Sequence, residues 1–445
     1  MRDLFAGVLA RGPVREAVGD RAWLQAMLDV EAGLARAQAR VGLIAPEAAD
    51  AIAAACDVDR FSAAEIGAAA ARVGNPAQPL VKALTAAVEG DARGHVHRGA
   101  TSQDVVDTAT MLVARRALEL ILDDLAGAAD AAAALARAHR DTPMAARTLL
   151  QQAVPTTFGL KAAGWMVALD AARERLADVR ARRLAVQLGG AAGTLASLGD
   201  HGLEVVRALA EELGLAEPVL PWHTDRTRIG ELAGALGEAC GAVAKAARDV
   251  TLLSQTEVGE VREAAGGGSS TMPHKRNPVA SIAAVACARR APALVGGLLS
   301  AMEHEHERAA AAWHAEWAPL NDLLVATGAA AAWLRACLEG LEVDPARMRA
   351  NLELTGGLLL AERVSTALGA TLGRGAAHDV VERAAAEAAD SGRAFADVLR
   401  DDPAIRERVG AGEIDRLLDP SGYLGSAGAL VDRALDAHRM VGSAP

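Results

Sequence analysis

The chain has 445 residues, a formal net charge of −11 and four cysteines, and 51% of its residues are hydrophobic but only 2% aromatic. That length supports two or three domains with a substantial core. An interior of alanine, leucine and valine favours closely packed helices over a β-rich fold, which draws on aromatic and β-branched side chains, and the acidic balance disfavours nucleic acid as a partner. Cys56, Cys240, Cys287 and Cys337 lie far apart in apolar helical contexts without C-x-x-C spacing, which predicts buried thiols rather than a disulfide or zinc site. There is no signal-peptide pattern and no uninterrupted apolar run of about 18 residues, so the expectation is a cytoplasmic protein with no membrane partner.

Taken in chain order, residues 1–103 read as short helices punctuated by Gly42, Pro46, Gly74-Asn75-Pro76 and Gly94. Met111, Ala114, Leu118, Ile121, Leu125, Ala128, Ala132 and Leu135 then follow a 3,4 spacing, the apolar seam of a long helix that ends at Asp141-Thr142-Pro143. A second seam, Leu232, Leu236, Ala239, Val243, Ala246, Val250 and Leu253, follows Pro221-Trp222-His223-Thr224. Further long helices are predicted over 157–186, 279–303 and 316–340, and such sustained spacing implies near-parallel helices in a bundle. Beyond Val343-Asp344-Pro345 the helices are short again, broken at Gly356-Gly357, Gly373, Asp402-Pro403 and Pro420-Ser421-Gly422. The expectation is an all-α protein of three helical domains, 1–103, 104–343 and 344–445.

Four stretches carry candidate chemistry. In His95 to Asp104, Thr101 and Ser102 precede the long helix whose start Asp104 marks, so hydroxyls and free amides converge at a helix N-terminus, which favours anions. Gly267 to Pro278 packs glycines, Ser269, Ser270, Lys275, Asn277 and two prolines into one connection that cannot be regular helix. Its amides and hydroxyls suit gripping a carboxylate, with Lys275 supplying charge, and loops of this kind close over substrate. It is not a phosphate-binding P-loop, since no G-K-[ST] follows the glycines. Leu188 to Gly193 lacks a βαβ context and reads as a tight interhelical connection, with Thr194 and Ser197 facing substrate, rather than a dinucleotide fingerprint. The histidines His304 and His306, read as helical and two apart, point to opposite sides and do not chelate together.

The segment Gly268-Ser269-Ser270-Thr271-Met272-Pro273-His274-Lys275-Arg276-Asn277-Pro278 resembles the G-S-S-x-M-P-x-K-x-N-P signature of the fumarase/aspartase superfamily at every fixed position. The resemblance implies that Ser269 is the catalytic acid/base, with Lys275 and Asn277 holding the substrate carboxylate and the closed loop, and Ser270 and Met272 beside substrate. His95 to Asp104 resembles the family's H-x-G-x-T-S-x-D segment, which makes His97, Thr101 and Ser102 substrate-binding candidates. Arg147 to Thr156 resembles R-T-x-x-x-H-A-x-P-T and adds Thr148 and Gln152, but departs from it: Gln152 and Leu149 stand where histidines serve other members as the second acid/base, and glutamine cannot transfer a proton. His306-Glu307-Arg308 resembles an H-E-R segment that adenylosuccinate lyases continue with a serine and an arginine for the nucleotide phosphate. Trp313 and Trp317 stand there instead, which argues against a nucleotide substrate.

Within the superfamily, four stretches resemble those of the 3-carboxy-cis,cis-muconate cycloisomerases. They are the H-E-R…W-H-A-E-W run, Gly74-Asn75-Pro76…Pro79-Leu80-Val81-Lys82, Pro221-Trp222-His223-Thr224…Arg226…Arg228 and Leu418-Asp419-Pro420…Tyr423-Leu424-Gly425. Asn75 and Arg308 join the substrate-binding candidates on this basis. The resemblance implies a homotetramer built on a large helical core, with active sites shared by three subunits, no cofactor and no metal. The implied substrate is a small tricarboxylate, lactonised through an aci-carboxylate carbanion in the protocatechuate branch of the β-ketoadipate pathway. The alternatives are a fumarate-releasing C–N or C–O lyase acting on a substituted succinate, and an idle structural protein, which an intact Ser269, Lys275 and Asn277 disfavours.

Overall fold

A computed structural model describes residues 3–268, 272 and 274–442. The fold is all-α, and the apolar seams read from sequence are its buried faces: Met111, Ala114, Leu118, Ile121, Leu125, Ala128 and Ala132, and all seven residues from Leu232 to Leu253, are buried. Each large aliphatic side chain so placed contributes about 1.5–3 kcal/mol relative to exposure.

The chain divides into two compact units, every boundary between them falling within a helix. The first comprises residues 1–126, 171–244 and 283–334. It holds α1 (Asp20–Arg40), α2 (Ala77–Ala87), the start of α3 (Ser102–Ala138), the end of α4 (Phe158–Arg182), most of α5 (Thr227–Leu253) and most of α8 (Ala312–Glu339). Helix α1 buries Leu24, Met27, Leu28, Leu34 and Ala35 on one face, and two polar residues, Glu31 and Gln38, on the same face.

The expected helix over 279–303 is broken in two, α6 (Val279–Ala288) and α7 (Ala291–Ser300). The cause is Pro292, which sits in the first turn of α7, where its missing amide costs nothing. Residues 279–300 are apolar enough in composition to cross a membrane, but ten residues per helix reach only about 15 Å against the ~30 Å of a bilayer core.

The residues after Met302 are not helical either, so the helical spacing argument applied to His304 and His306 does not hold: His306 has φ 48° and the side chain of His304 is buried. Among the described residues no group of three metal-ligating side chains occurs. All four cysteines are free and buried.

The second unit comprises residues 127–170, 245–282 and 335–445. Short antiparallel pairs punctuate its helices: β1 (Pro143–Thr148) with β2 (Gln151–Thr157), β3 (Val261–Glu263) with β6 (Leu341–Val343), and β4 (Gly267–Gly268) with β5 (Arg276–Asn277). Here α9 (Pro345–Leu352) leads into short helices that enclose Val364, Leu368, Val381, Phe395, Leu399 and Ile405. The C-terminal α10 (Ala427–Gly442) is held by Arg140, bonded to Asp432, and by His438, set between Asp130 and Asp170.

Candidate active site

In the first unit the site begins at the N-terminus of α3. Thr101 is its N-cap, and Asp104, three residues on, accepts the Thr101 amide at 2.9 Å, the reciprocal half of a capping box. Asp104 does more than mark the helix start. Its buried carboxylate also accepts the amides of Gly189 (3.0 Å) and Gly190 (2.9 Å) and lies 2.6 Å from His223 Nε2. One residue therefore ties the glycine turn at 189–190 to the start of α3, leaving the Thr101 and Ser102 side chains partly exposed.

The glycine turn in turn receives Arg308. Its guanidinium donates to Gly190 O (3.2 Å), Ala191 O (2.9 Å) and Gln103 Oε1 (2.9 Å). Three of its five N–H donors are thus spent on orientation, and the other two, on Nε and Nη1, have no hydrogen-bond partner among the described residues. Gln103 is itself fixed, donating to Asp107 and to the His223 carbonyl.

Beneath lies a buried charge cluster. Arg226 is held by Asp107 (2.8 and 3.1 Å) and by Glu316 (2.7 Å), Trp313 Nε1 donates to Asp107 at 3.0 Å, and His304 Nε2 faces Glu316 at 3.3 Å. Burial works against the Arg226 charge, but Asp107 and Glu316 outweigh it and raise its pKa. Trp313 is thus a core donor. Asp107 and Glu316 escaped the sequence reading; the signal was an acidic residue on the buried face of each of two apolar helices.

His97 sits one turn ahead of α3, with Nδ1 2.7 Å from the buried Glu31 of α1. Asn75 accepts the Gln78 amide at 3.1 Å at the start of α2, while the adjacent Gly74 carbonyl accepts from His314 at 2.8 Å. Thr101, Ser102, His97, Arg308 and Asn75 therefore all belong to the first unit, the first four grouped around the α3 terminus and the glycine turn that Asp104 ties to it.

In the second unit, Thr148 and Gln152 flank the β1–β2 turn, where Thr148 is opposite Gln151. The turn residues Leu149 and Leu150 have φ of 50° and 66°, a left-handed conformation that leucine adopts only at a cost, and both point into solvent. The hairpin is fixed behind them: Arg147 makes a bidentate pair with Glu260 (2.9 and 2.7 Å), Asn351 Nδ2 donates to Glu260 at 2.8 Å, and Gln152 Nε2 donates to the Asn351 carbonyl at 2.9 Å.

The signature segment is anchored as a hairpin. Gly267 pairs with Asn277, and a Cβ on Gly267 would fall 2.6 Å from Val279 Cγ2, so no side chain fits there. Glu263 closes the base by accepting the Ala280 and Ser281 amides, both at 2.8 Å. Met272, Lys275 and Asn277 line a cavity of about 880 Å³ together with His274, Arg262 and Ser254. Ser269 and Ser270 lie outside the described residues.

The arrangement is two clusters of polar groups, one at the α3 terminus and one beside the signature hairpin. The profile of a lyase family matches residues 9–292, and that of the adenylosuccinate lyase C-terminus matches 357–434. The chain belongs to the fumarase/aspartase superfamily. Superfamily relatives match it end to end. It is 49% identical to the 3-carboxy-cis,cis-muconate cycloisomerase of Pseudomonas aeruginosa over 99% of this chain and 98% of that one. It is 47% identical to the nitrosuccinate lyase of Streptomyces davaonensis over 97% and 94%. The crystal structure of 3-carboxy-cis,cis-muconate lactonizing enzyme from Pseudomonas putida superposes with a TM-score of 0.94 at 45% identity, covering 99% of this chain and 100% of that one.

Proposed function

We propose that the protein is an intramolecular lyase converting 3-carboxy-cis,cis-muconate to 4-carboxymuconolactone. A terminal carboxylate of the substrate attacks the carbon bearing the 3-carboxyl group. Negative charge develops beside another carboxylate as an aci-carboxylate, and the carbanion takes a proton from Ser269. Lys275 and Asn277, with Ser270, Met272 and the loop amides, stabilise the developing charge electrostatically. His97, Thr101, Ser102, Asn75, Arg308, Thr148 and Gln152 hold the bent conformer; because the nucleophile belongs to the substrate, that positioning supplies much of the acceleration.

The observation that carries the reading is Gln152, whose amide is tied to the Asn351 carbonyl where other members hold a proton-transferring histidine. An intramolecular addition has no departing group to protonate and tolerates that loss. The same proposal includes the division at 103/104 and 343/344, a cytoplasmic homotetramer and sites shared by three subunits.

A second reading, a lyase releasing fumarate from a substituted succinate, draws on the 47% identity to nitrosuccinate lyase but stands behind the first, which 49%, 48% and 46% identities to three cycloisomerases support. The test is to incubate the pure protein with 3-carboxy-cis,cis-muconate, follow loss of diene absorbance and identify the product by NMR. A lactone is the expected product. No turnover there, with fumarate formed from a substituted succinate, selects the second reading.

A further inference from the structure

We propose that a cavity of about 290 Å³ in the first unit, between α1, α3 and the helix Gly202–Leu213, binds a compact, multiply charged oxyanion, a phosphate or a polycarboxylate. The groups that hold it are the guanidinia of Arg36, Arg115 and Arg116, which take no part in the candidate active site.

Helical spacing builds the cavity. Asp29, Gly33 and Arg36 fall on one face of α1, and Leu112, Arg115 and Arg116 on one face of α3. A Cβ on Gly33 would lie 2.9 Å from Leu213 Cδ2, so the missing side chain lets α1 approach the end of the third helix. That end is capped by Gly214 in the left-handed conformation, φ 62°, and receives Arg115. Arg115 Nη1 donates to the carbonyls of Leu213 at 2.7 Å and Gly214 at 2.8 Å. Carbonyls at a helix C-terminus lack intrahelical donors and attract cations, so the Arg115 side chain is held in place by the fold itself.

The two carboxylates on the walls are already committed. Asp29 accepts from Arg116 Nη2 at 2.6 Å and from Gln25 at 2.7 Å, and Glu212 accepts from Arg36 at 3.0 Å. Arg115 makes no ion pair among the described residues, and its Nε and Nη2 hydrogens have no partner there. Three guanidinia thus share a half-buried space with two carboxylates. Burial lowers the Arg115 pKa, as do Arg116 and Arg180, and the charges of Glu119 and Asp29 only partly oppose them. Arginine stays protonated regardless, so Arg115 is a cation crowded by cations, and a bound anion relieves that repulsion.

The donor set selects the ligand. Guanidinium groups grip carboxylate and phosphate oxygens through charge-assisted hydrogen bonds in a planar fork, and forks from two helices call for a ligand with several oxygens and more than one charge. At about 290 Å³ the space lies at the lower end of ligand pockets, which suits a compact ion rather than a nucleotide.

The test is isothermal titration calorimetry of the intact protein with orthophosphate and, separately, with citrate, at low ionic strength where exposed charges are least screened. A saturable site is expected for at least one of them, weakened at least ~10-fold in Arg115→Gln and in Arg36→Gln and unchanged in Arg308→Gln, which alters the candidate active site. Tighter orthophosphate assigns the site to a phosphate group, tighter citrate to a polycarboxylate. Because Arg115 also holds a helix end, its variant is read only if circular dichroism shows it folded. Arg36, more than half exposed, decides the matter otherwise, since R36Q removes a donor and uncovers Glu212. Three results overturn the proposal: no saturable binding of either anion, binding that R308Q abolishes and R36Q leaves intact, or the same heats from sodium chloride at matched ionic strength.

Discussion

Arg226→Met removes the centre of the buried charge cluster and leaves its two carboxylates facing each other. The guanidinium is 1% exposed, Asp107 2% and Glu316 3%, so solvent screens none of the three. Removing one partner of a buried pair costs about 3–5 kcal/mol, and two acids share this one cation, which places the expected loss at the upper end. The assay is urea unfolding followed by far-UV circular dichroism at pH 7 and again at pH 5. Because protonating either carboxylate relieves the repulsion, the deficit should shrink at the lower pH. Gln103 hangs from Asp107 and orients Arg308, so KM should also rise. A loss below about 1 kcal/mol, or a deficit equal at both pH values, would refute the reasoning that paired charge rather than packing holds this region.

Ser269→Ala should lower kcat by ~10²–10⁴-fold with substrate binding largely kept; near-normal turnover removes serine from the mechanism. Gly99→Ala should cost about 2 kcal/mol or more, since Gly99 has φ +78° and its Cβ would fall 2.4 Å from Leu198 Cδ2. A thermal-melt series in which Leu198→Ala partly rescues the variant checks that cause. Burial pushes the thiols of Cys240 and Cys287 up to about 11 and that of Cys56 up to about 12, with Cys337 higher still. Native protein at pH 8 should therefore resist a thiol-labelling disulfide reagent, with all four cysteines reacting after denaturation; rapid native labelling contradicts it.

The helices were legible wherever apolar spacing is sustained, because a seam such as Leu232 to Leu253 has only one way to be buried. The β1–β2 hairpin was not, since its turn is Leu149-Leu150, where the left-handed conformation is forced by the frame of Arg147, Glu260, Asn351 and Gln152 rather than offered by glycine or asparagine. The break between α6 and α7 could have been read from Pro292. The motifs placed the binding candidates, but not what positions them.

That deeper layer did leave a trace in the sequence. Glu31 and Gln38 are seven residues apart on the face of α1 that otherwise carries Leu24, Met27, Leu28 and Leu34, and Asp107 and Glu316 interrupt the buried faces of α3 and α8. A carboxylate on the buried side of a helix requires a partner, because burying it unpaired costs more than a helix of this composition can offset. Each such residue therefore commits some other segment to a fixed place. Glu31 commits His97 beside the start of α3, and Asp107 commits Arg226 and, through Gln103, Arg308. The polar interruptions in the seams, more than the seams themselves, determine where the candidate site forms.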